Sequence, residues 1–87
     1  MRKYRVEIER GAQRWLSNLR DADLIGRLRS AIDRLGESAR PHGVVKLSGH
    51  DNRYRLRVGD YRIIYEIQDH ALMVRVLVIG DRKDVYR

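Results

Sequence analysis

Arginine stands at alternate positions in one short stretch of the chain, RYRLRVGDYRIIYE, which spans residues 53–66. Side chains two residues apart lie on the same face of an extended strand, so Arg53, Arg55 and Arg57 would share one surface. Like charges that face each other across a strand pair destabilise that pair. A sequence that keeps them together usually has an anion to bind, and the guanidinium fork of arginine fits phosphate. We therefore predict a phosphate-binding surface, with a merely solvated polar face as the alternative.

A tight hairpin must position these arginines. Gly59 and Asp60 fit a two-residue loop of the kind that matches the twist of paired strands. In that register Arg57 faces Arg62 across the hairpin. The apolar side chains of the same two strands point to the other face: Leu56, Val58, Ile63, Tyr65 and Ile67. One face of the hairpin is therefore predicted to pack on a core, and the other to carry the arginines.

Further charges fall on the arginine face. Arg53 would face Glu66, and a second two-residue turn at residues 69–70 would place Arg75 beside Ile64. Glu66 can then neutralise Arg53 or Arg75. The facing pair next to the hairpin loop has no acidic partner in this register, so we expect the positive charge to concentrate there.

Two periodicities organise the rest of the chain. Alternating apolar residues predict a strand over 4–8, and apolar residues at helical spacing predict helices over 12–19 and 24–35. Asp21 or Asp23 can cap the second helix. The period of two then predicts four more strands, at residues 44–47, 54–58, 61–67 and 72–79.

The last of these strands is the most continuously apolar, so we expect it to lie centrally in the sheet. The chain is predicted to form a single α+β domain over residues 1–87. Its architecture is an N-terminal strand, an antiparallel helical hairpin, and then a mostly antiparallel four-strand meander with the helices on one face.

The overall charge favours a polyanionic partner. The 87 residues carry a formal net charge of +7, with sixteen arginines and three lysines. Such a balance indicates nucleic acid before a membrane surface. Solubility and a genome rich in GC codons offer a simpler explanation of the arginine content.

Several classes of function are disfavoured. The chain has no cysteine, so disulfides and thiolate metal sites are excluded, which suits a reducing cytoplasm. The three histidines, His42, His50 and His70, fall in predicted loops without ligand spacing, so we expect neither a metal nor a cofactor. No apolar run predicts a signal peptide or a membrane span.

Three motifs together resemble a known family: KLSG at 46–49, YRLRVGDYRIIYEI at 54–67 and VIGDRKDVYR at 78–87. Over essentially its whole length the chain resembles the RelE/ParE superfamily of bacterial type II toxin–antitoxin toxins, and within it the RelE branch. The resemblance implies the RelE-like microbial RNase fold. It also implies a ribosome-dependent mRNA endonuclease, or mRNA interferase. Such a toxin enters the ribosomal A site and cleaves messenger without metal, by attack of the 2′-hydroxyl on its own phosphate.

The resemblance also assigns roles to residues. It implies that Arg57 and Arg62 stabilise the phosphorane, that Arg82 stabilises or protonates the leaving oxygen, and that Tyr86 stacks on a base or orients the phosphate. These four form the predicted catalytic set. Arg82 and Tyr86 follow the last strand closely enough to reach the arginine face, with an ordinary tail residue as the alternative for either. The predicted substrate-binding residues are Arg55, Lys46, Arg53 and Arg75.

Two departures from the family pattern concern proton transfer. Arginine stands at positions 55 and 57 where several relatives have lysine, and arginine is a poor proton acceptor. Asp81 stands where many relatives have a basic residue; it could orient Arg82, act as the base, or be a solvated loop residue. Lys46 is another candidate base or a surface lysine, and His50 could reach the cleft.

Two rival functions remain open: a ParE-like toxin that inhibits DNA gyrase by binding, and a basic RNA-binding module without chemistry. Branches of the family that lost catalysis generally lack the basic cluster, which favours cleavage here. The resemblance implies a RelB-like antitoxin with an acidic wrapping segment, the 70S ribosome and messenger as partners, and operator DNA only through the toxin–antitoxin complex. Trp15, on the first helix, is either core or part of an antitoxin-docking stripe.

Overall fold

The computed structural model of the chain describes residues 3–81. In chain order the elements are β1 (Arg5–Ile8), α1 (Arg10–Ser17), α2 (Ala22–Leu35), β2 (Val45–Lys46), β3 (Arg53–Val58), β4 (Tyr61–Gln68) and β5 (Met73–Asp81). A 3-10 helix, Asp69–Ala71, joins β4 to β5. The predicted α+β class and the order of its elements are confirmed. No helix in this part of the chain has the length and apolar character needed to cross a bilayer.

The strands form one five-stranded sheet in the order β1-β5-β4-β3-β2. Three neighbouring pairs are antiparallel, and β1 runs parallel to β5. The apolar strand β5 lies inside the sheet, between β1 and β4, as its composition predicted. Because β1 pairs with the last strand, the first and last elements of the described chain are held together.

Both helices pack on one face of the sheet and bury their apolar stripes there. In α2 the side chains of Leu28 and Leu35 are fully buried, and the helix begins at Asp21, whose Oδ1 accepts from the Leu24 amide at 3.2 Å. Of the two capping residues left open by the sequence, the structure selects Asp21. The sheet contributes further fully or nearly fully buried side chains to the same core: Ile63, Tyr65, Ile67, Val74, Val76 and Ile79.

Trp15 lies at the edge of this core. Its side chain is half-buried, and its ring meets Tyr61 edge-on with 5.8 Å between the ring centroids. Of the two interpretations of Trp15, packing against the core is the one that the structure shows.

The connection between β4 and β5 differs from the predicted two-residue turn. The 3-10 helix and Leu72, whose φ of 49° lies in the left-handed region, make the connection four residues long. A register shift between Ile64 and Tyr65 then adds an irregularity to the ladder. The second predicted turn is therefore wrong, because neither Asp69 nor His70 is followed by an immediate return strand.

Polar side chains fix this connection to the loop after α2. Arg40 donates to both carboxylate oxygens of Asp69, with 2.8 Å between Nη2 and Oδ2, and its Nε donates to the Tyr54 hydroxyl at 3.2 Å. The Tyr4 hydroxyl donates to Asp69 Oδ1 at 2.6 Å. This cluster, which we call the Arg40–Asp69 clamp, ties β1, β3, the loop and the β4–β5 connection together.

Candidate functional site

The hairpin of β3 and β4 has the predicted register. Arg57 lies directly opposite Arg62, Val58 faces Tyr61, and Arg53 faces Glu66. Gly59 adopts a φ of 60°, the left-handed conformation that such a two-residue loop requires of its first residue. By this register the arginines belong to the sheet surface opposite the helices, which we call the outer face, and the side chain of Arg57 also borders the space between β3 and α2.

One row across the outer face balances its own charge. Arg53 faces Glu66, Glu66 faces Arg75, and Arg75 faces Glu7 on β1. The nitrogen–oxygen distances are 3.8 Å from Arg53 to Glu66 and 3.8 Å from Arg75 to Glu7. Because this charged row holds two cations and two anions, it adds little net charge to the outer face.

The next row is mostly apolar. Val45, Arg55, Ile64 and Val78 follow one another across four strands. Val45 and Val78 are 45% and 44% exposed, whereas Ile64 is buried although it lies outside the helix-side core. This apolar row places one arginine among flat hydrocarbon surfaces, which suits contact with a base as well as a phosphate.

The third row is the cationic end of the outer face. It consists of Arg57, Arg62 and Gly80, the residue opposite Arg62 on β5. Arg57 is exposed, and its Nε donates to the Gly59 carbonyl at 2.9 Å, so the hairpin loop holds its guanidinium. Arg62 lies deeper, with Nε and Nη1 shielded from solvent.

The remaining predicted site residues fall into different places. Arg75 lies beside Glu66 and not beside Ile64, because the longer connection and the irregularity in β4–β5 pairing displace it. Lys46 pairs with Tyr54, whose side chain is buried on the helix side, so the register directs Lys46 away from the outer face. The structure thus groups Arg55, Arg57 and Arg62, and separates Lys46 from them.

Of the predicted site residues near the end of the chain, the structure describes only Asp81. Arg82 and Tyr86 lie outside the described residues. Asp81 is the last residue of β5 and is half-buried opposite Tyr61, so it is a strand residue and not a solvated loop residue, which was one of the three alternatives. His50 is exposed in the β2–β3 connection.

Sequence reasoning missed the contribution of Glu7. Its partner Arg75 is 68 positions away, and only the parallel pairing of β1 with β5 brings the two together. Alternation within residues 4–8 placed Glu7 on a polar strand face, but a strand's own sequence does not name its neighbour.

The family model described as the ParE toxin of a type II toxin–antitoxin system matches residues 6–86. The chain belongs to the RelE/ParE toxin superfamily. It is therefore a toxin of the type II toxin–antitoxin class, as its motifs predicted. A search of curated proteins found no match.

Solved structures of RelE toxins share the fold. The archaeal RelE–RelB complex from Pyrococcus horikoshii OT3 is 30% identical with a TM-score of 0.80, covering 94% of this chain and 98% of that chain. The toxin–antitoxin complex RelBE2 from Mycobacterium tuberculosis is 26% identical with a TM-score of 0.76, covering 97% of both chains. The isolated E. coli RelE toxin, 24% identical with a TM-score of 0.78, covers 95% of this chain and 90% of its own and shows the shared fold.

Proposed function

We propose that this RelE/ParE toxin is a ribosome-dependent mRNA endonuclease that inhibits translation. The observation that carries the proposal is the facing pair of Arg57 and Arg62 at the cationic end of the outer face. Two guanidinium groups on facing residues of a hairpin concentrate positive charge in one place, and the planar fork of arginine suits a phosphate. The charged row at the other end of the outer face carries little net charge, so we expect the substrate's phosphate to bind at the end that holds Arg57 and Arg62.

The cleavage step requires charge stabilisation above all. The 2′-oxygen of a nucleotide forms a bond to the adjacent phosphorus, the bond from phosphorus to the 5′-oxygen breaks, and a 2′,3′-cyclic phosphate remains. The crowded phosphorane carries extra negative charge, and we assign its stabilisation to Arg57 and Arg62. We assign Arg82 to the departing 5′-oxygen and Tyr86 to stacking on a base or orienting the phosphate. Arg55, in the apolar row, binds the neighbouring phosphate or base.

The proton of the 2′-hydroxyl needs an acceptor, and the arginines are unsuitable because they stay protonated. The register directs both Lys46 and Asp81 to the helix side of the sheet. We therefore assign no general base among residues 3–81, and propose that the arginines act by lowering the energy of the anionic species. The attacking proton then passes to water or to a group of the ribosome.

A specific observation also favours a second function. The family model that matches the chain is the one described as a ParE toxin. A ParE-like protein of this fold would bind and inhibit DNA gyrase without cleaving RNA. The arginines at positions 55, 57 and 62 favour cleavage. Arginine in place of the lysine that several relatives have at positions 55 and 57 favours inhibition by binding.

The same proposal includes the partners. The relatives from Pyrococcus horikoshii and Mycobacterium tuberculosis were crystallised as toxin–antitoxin complexes. We propose a RelB-like antitoxin whose acidic segment wraps this basic toxin, with operator DNA bound only through the complex. The toxin would act in the cytoplasm, where the 70S ribosome and its messenger lie.

The deciding experiment adds the purified toxin to ribosomes that carry a defined messenger, and maps 3′ ends by primer extension. Naked messenger, an Arg82→Ala variant and an Arg57→Gln variant are run alongside, with Arg29→Gln as a matched control on α2. Cuts in the A-site codon that require the ribosome, Arg57 and Arg82 are expected. A folded toxin that cuts at no codon but blocks supercoiling by purified gyrase would establish the second function instead.

A further inference from the structure

A cavity of about 360 Å³ lies on the helix side of the sheet, between α2 and the edge of β3. Two kinds of side chain line it. Leu35, Leu56 and Val58 are the main apolar residues, while Arg27, Arg34 and Arg57 supply positive charge. The remaining lining comes from Ala31, Pro41 and His42. None of the described lining residues is acidic, and none of the three arginines forms an ion pair with another residue in 3–81.

The cavity exists because β2 is short. It pairs with β3 only at Tyr54 and Arg55, so the edge of β3 beyond Arg55 has no neighbouring strand among the described residues. The opposite wall, at Pro41 and His42, follows directly after Arg40 of the Arg40–Asp69 clamp. The wall is further held by Tyr65, whose hydroxyl donates to the Ala39 carbonyl at 2.7 Å. Both walls are therefore fixed before any ligand arrives.

Two of the guanidinium groups converge on the hairpin loop. A Cβ placed on Gly59 would lie 2.6 Å from Nη2 of Arg27, so that guanidinium rests against the loop backbone. Arg57 Nε donates to the carbonyl of the same glycine at 2.9 Å. Arg34 lies two turns along α2 from Arg27, on the same side of the helix. The cavity thus combines an apolar floor with a rim of three cations.

An apolar surface bounded by arginines matches a nucleotide of a single strand, whose base needs a flat contact and whose phosphate needs a cation. Arg57 connects the cavity to the cationic end of the outer face, because it belongs to both surfaces. Its Cα belongs to the row of Arg62, whereas its side chain lines the cavity. An RNA strand whose phosphate lies at Arg57 can therefore pass round the open edge of β3 and place a further nucleotide in the cavity.

We infer that the cavity between α2 and the edge of β3 is a second RNA subsite, which binds one nucleotide flanking the cleaved bond. The apolar floor contacts the base and Arg27 and Arg34 hold its phosphate. This inference rests on the proposed function in that it takes the substrate to be single-stranded RNA. Because the floor is aliphatic and offers few hydrogen-bonding groups, the subsite would read no particular base.

Binding of oligonucleotides that resist cleavage tests the subsite apart from catalysis. The probes are fluorescent 2′-O-methyl RNAs, a trinucleotide that fills only the cationic end and a nonanucleotide that reaches the cavity. Binding to the full chain is followed by anisotropy across a salt series. The variants are Arg34→Gln and Arg27→Gln. The matched control is Arg29→Gln, which removes the same charge from the same helix about 200° away from Arg27 around the axis.

We expect Arg34→Gln and Arg27→Gln each to weaken the nonanucleotide on the order of tenfold, and to change the trinucleotide no more than Arg29→Gln does. Each lost phosphate contact should also lower the salt slope for the nonanucleotide by about 0.7. Equal effects of all three variants on both probes would overturn the subsite. So would binding of an acidic, apolar peptide that needs Arg27 and Arg34 when RNA binding does not, because the cavity would then belong to a protein partner.

Failure of the subsite and failure of the proposed function are separable. Ribosome-dependent cleavage together with equal binding by all variants would remove the subsite and keep the nuclease. A length-dependent requirement for Arg34 without cleavage at any codon would keep the RNA subsite and remove the nuclease.

Discussion

Glu66 on β4 lies directly opposite Arg75 on β5, and its other neighbour is Arg53 on β3. Its carboxylate lies 3.8 Å from Arg53 Nε and accepts from Gln68 Nε2 at 2.8 Å, while the Arg75 guanidinium lies 3.8 Å from Glu7. Its position decides where the outer face is positive. Since Glu66 and Glu7 compensate the charged row, we expect a phosphate to bind at the far end of the hairpin, at Arg57 and Arg62.

Removal of the Glu66 charge should therefore weaken the preference of a phosphate for the Arg57 and Arg62 end over the charged row. We expect Glu66→Gln to bind the 2′-O-methyl nonanucleotide several-fold more tightly at low salt, because Arg53 loses its acidic partner and becomes available to phosphate. The gain should disappear as salt rises, since exposed charges are then screened. Anisotropy measures both effects.

Glu37→Gln is the matched control, because it makes the same change in net charge at an exposed position outside the sheet. If the two variants raise the affinity equally, only the total charge matters and the charged row has no directing role.

The β3–β4 hairpin was predictable because its determinants are local. Gly59 and Asp60 specify the loop, the loop fixes the register, and the alternation of Leu56 and Val58 with arginines fixes the faces. The pairing of Arg57 with Arg62 across the hairpin follows from the fourteen residues 53–66 alone. Helical periodicity likewise located α1 and α2 without tertiary information.

The misplaced features depend on contacts that are distant in sequence. The position of Arg75 required the length of the β4–β5 connection and the irregularity beside Ile64, neither of which has a clear signal in composition. To predict which face Lys46 occupies, one must know that it pairs with Tyr54. To predict the contact of Glu7, one must know that β1 pairs in parallel with β5. Strand order is set by packing of the whole sheet, and so these relationships lie beyond a pattern in one segment.

Arg57 should be essential to the proposed cleavage. We expect Arg57→Gln to lower the single-turnover rate of ribosome-dependent cleavage by about 10²–10³-fold, the usual effect of losing one group that stabilises a developing anion. The cleavage rate of Arg57→Lys should fall between the rates of the wild type and Arg57→Gln. Lysine keeps the charge but lacks the planar fork and the Nε bond to the Gly59 carbonyl. The rate is read from quenched time courses on programmed ribosomes.

Arg29→Gln is the control for the change in charge. If all variants bind the ribosome equally, the affected step is the chemical one. A rate for Arg57→Gln equal to that of the control would remove Arg57 from the reaction.

Asp69 should contribute to stability through the Arg40–Asp69 clamp. Asp69→Asn removes the charge that binds Arg40 and weakens the acceptor of the Tyr4 hydroxyl. The pair is nearly half exposed, at 45% for both side chains, so solvent screening limits its worth and we expect a loss of about 1 kcal/mol. Urea unfolding followed by circular dichroism gives the free energy.

The exposed residue Asp33, on α2, provides the control substitution Asp33→Asn. A loss no greater than that of the control would mean that the clamp only orients the loop and adds no stability.

The buried hydroxyl of Tyr65 should make the fold sensitive to alkali. Burial raises the pKa of Tyr65 above its ordinary value, because the ionised form would be desolvated. The raised pKa means that the folded state holds the proton more tightly than the unfolded chain, whose tyrosines titrate near about 10. The stabilisation is therefore complete below pH 10 and is lost as the pH rises beyond it.

Comparison with Tyr65→Phe isolates this effect. Near pH 8 the variant should be less stable by about 1 kcal/mol, since it lacks the 2.7 Å hydrogen bond to the Ala39 carbonyl. Between pH 9 and pH 11 the wild-type chain should lose about 1.4 kcal/mol relative to the variant, because only the wild-type chain must keep Tyr65 protonated, so the difference disappears and then changes sign. Ile67→Val, a buried change without a titrating group, should keep a constant difference from wild type. A constant difference for Tyr65→Phe as well would show that Tyr65 ionises in the folded protein as readily as in the unfolded chain.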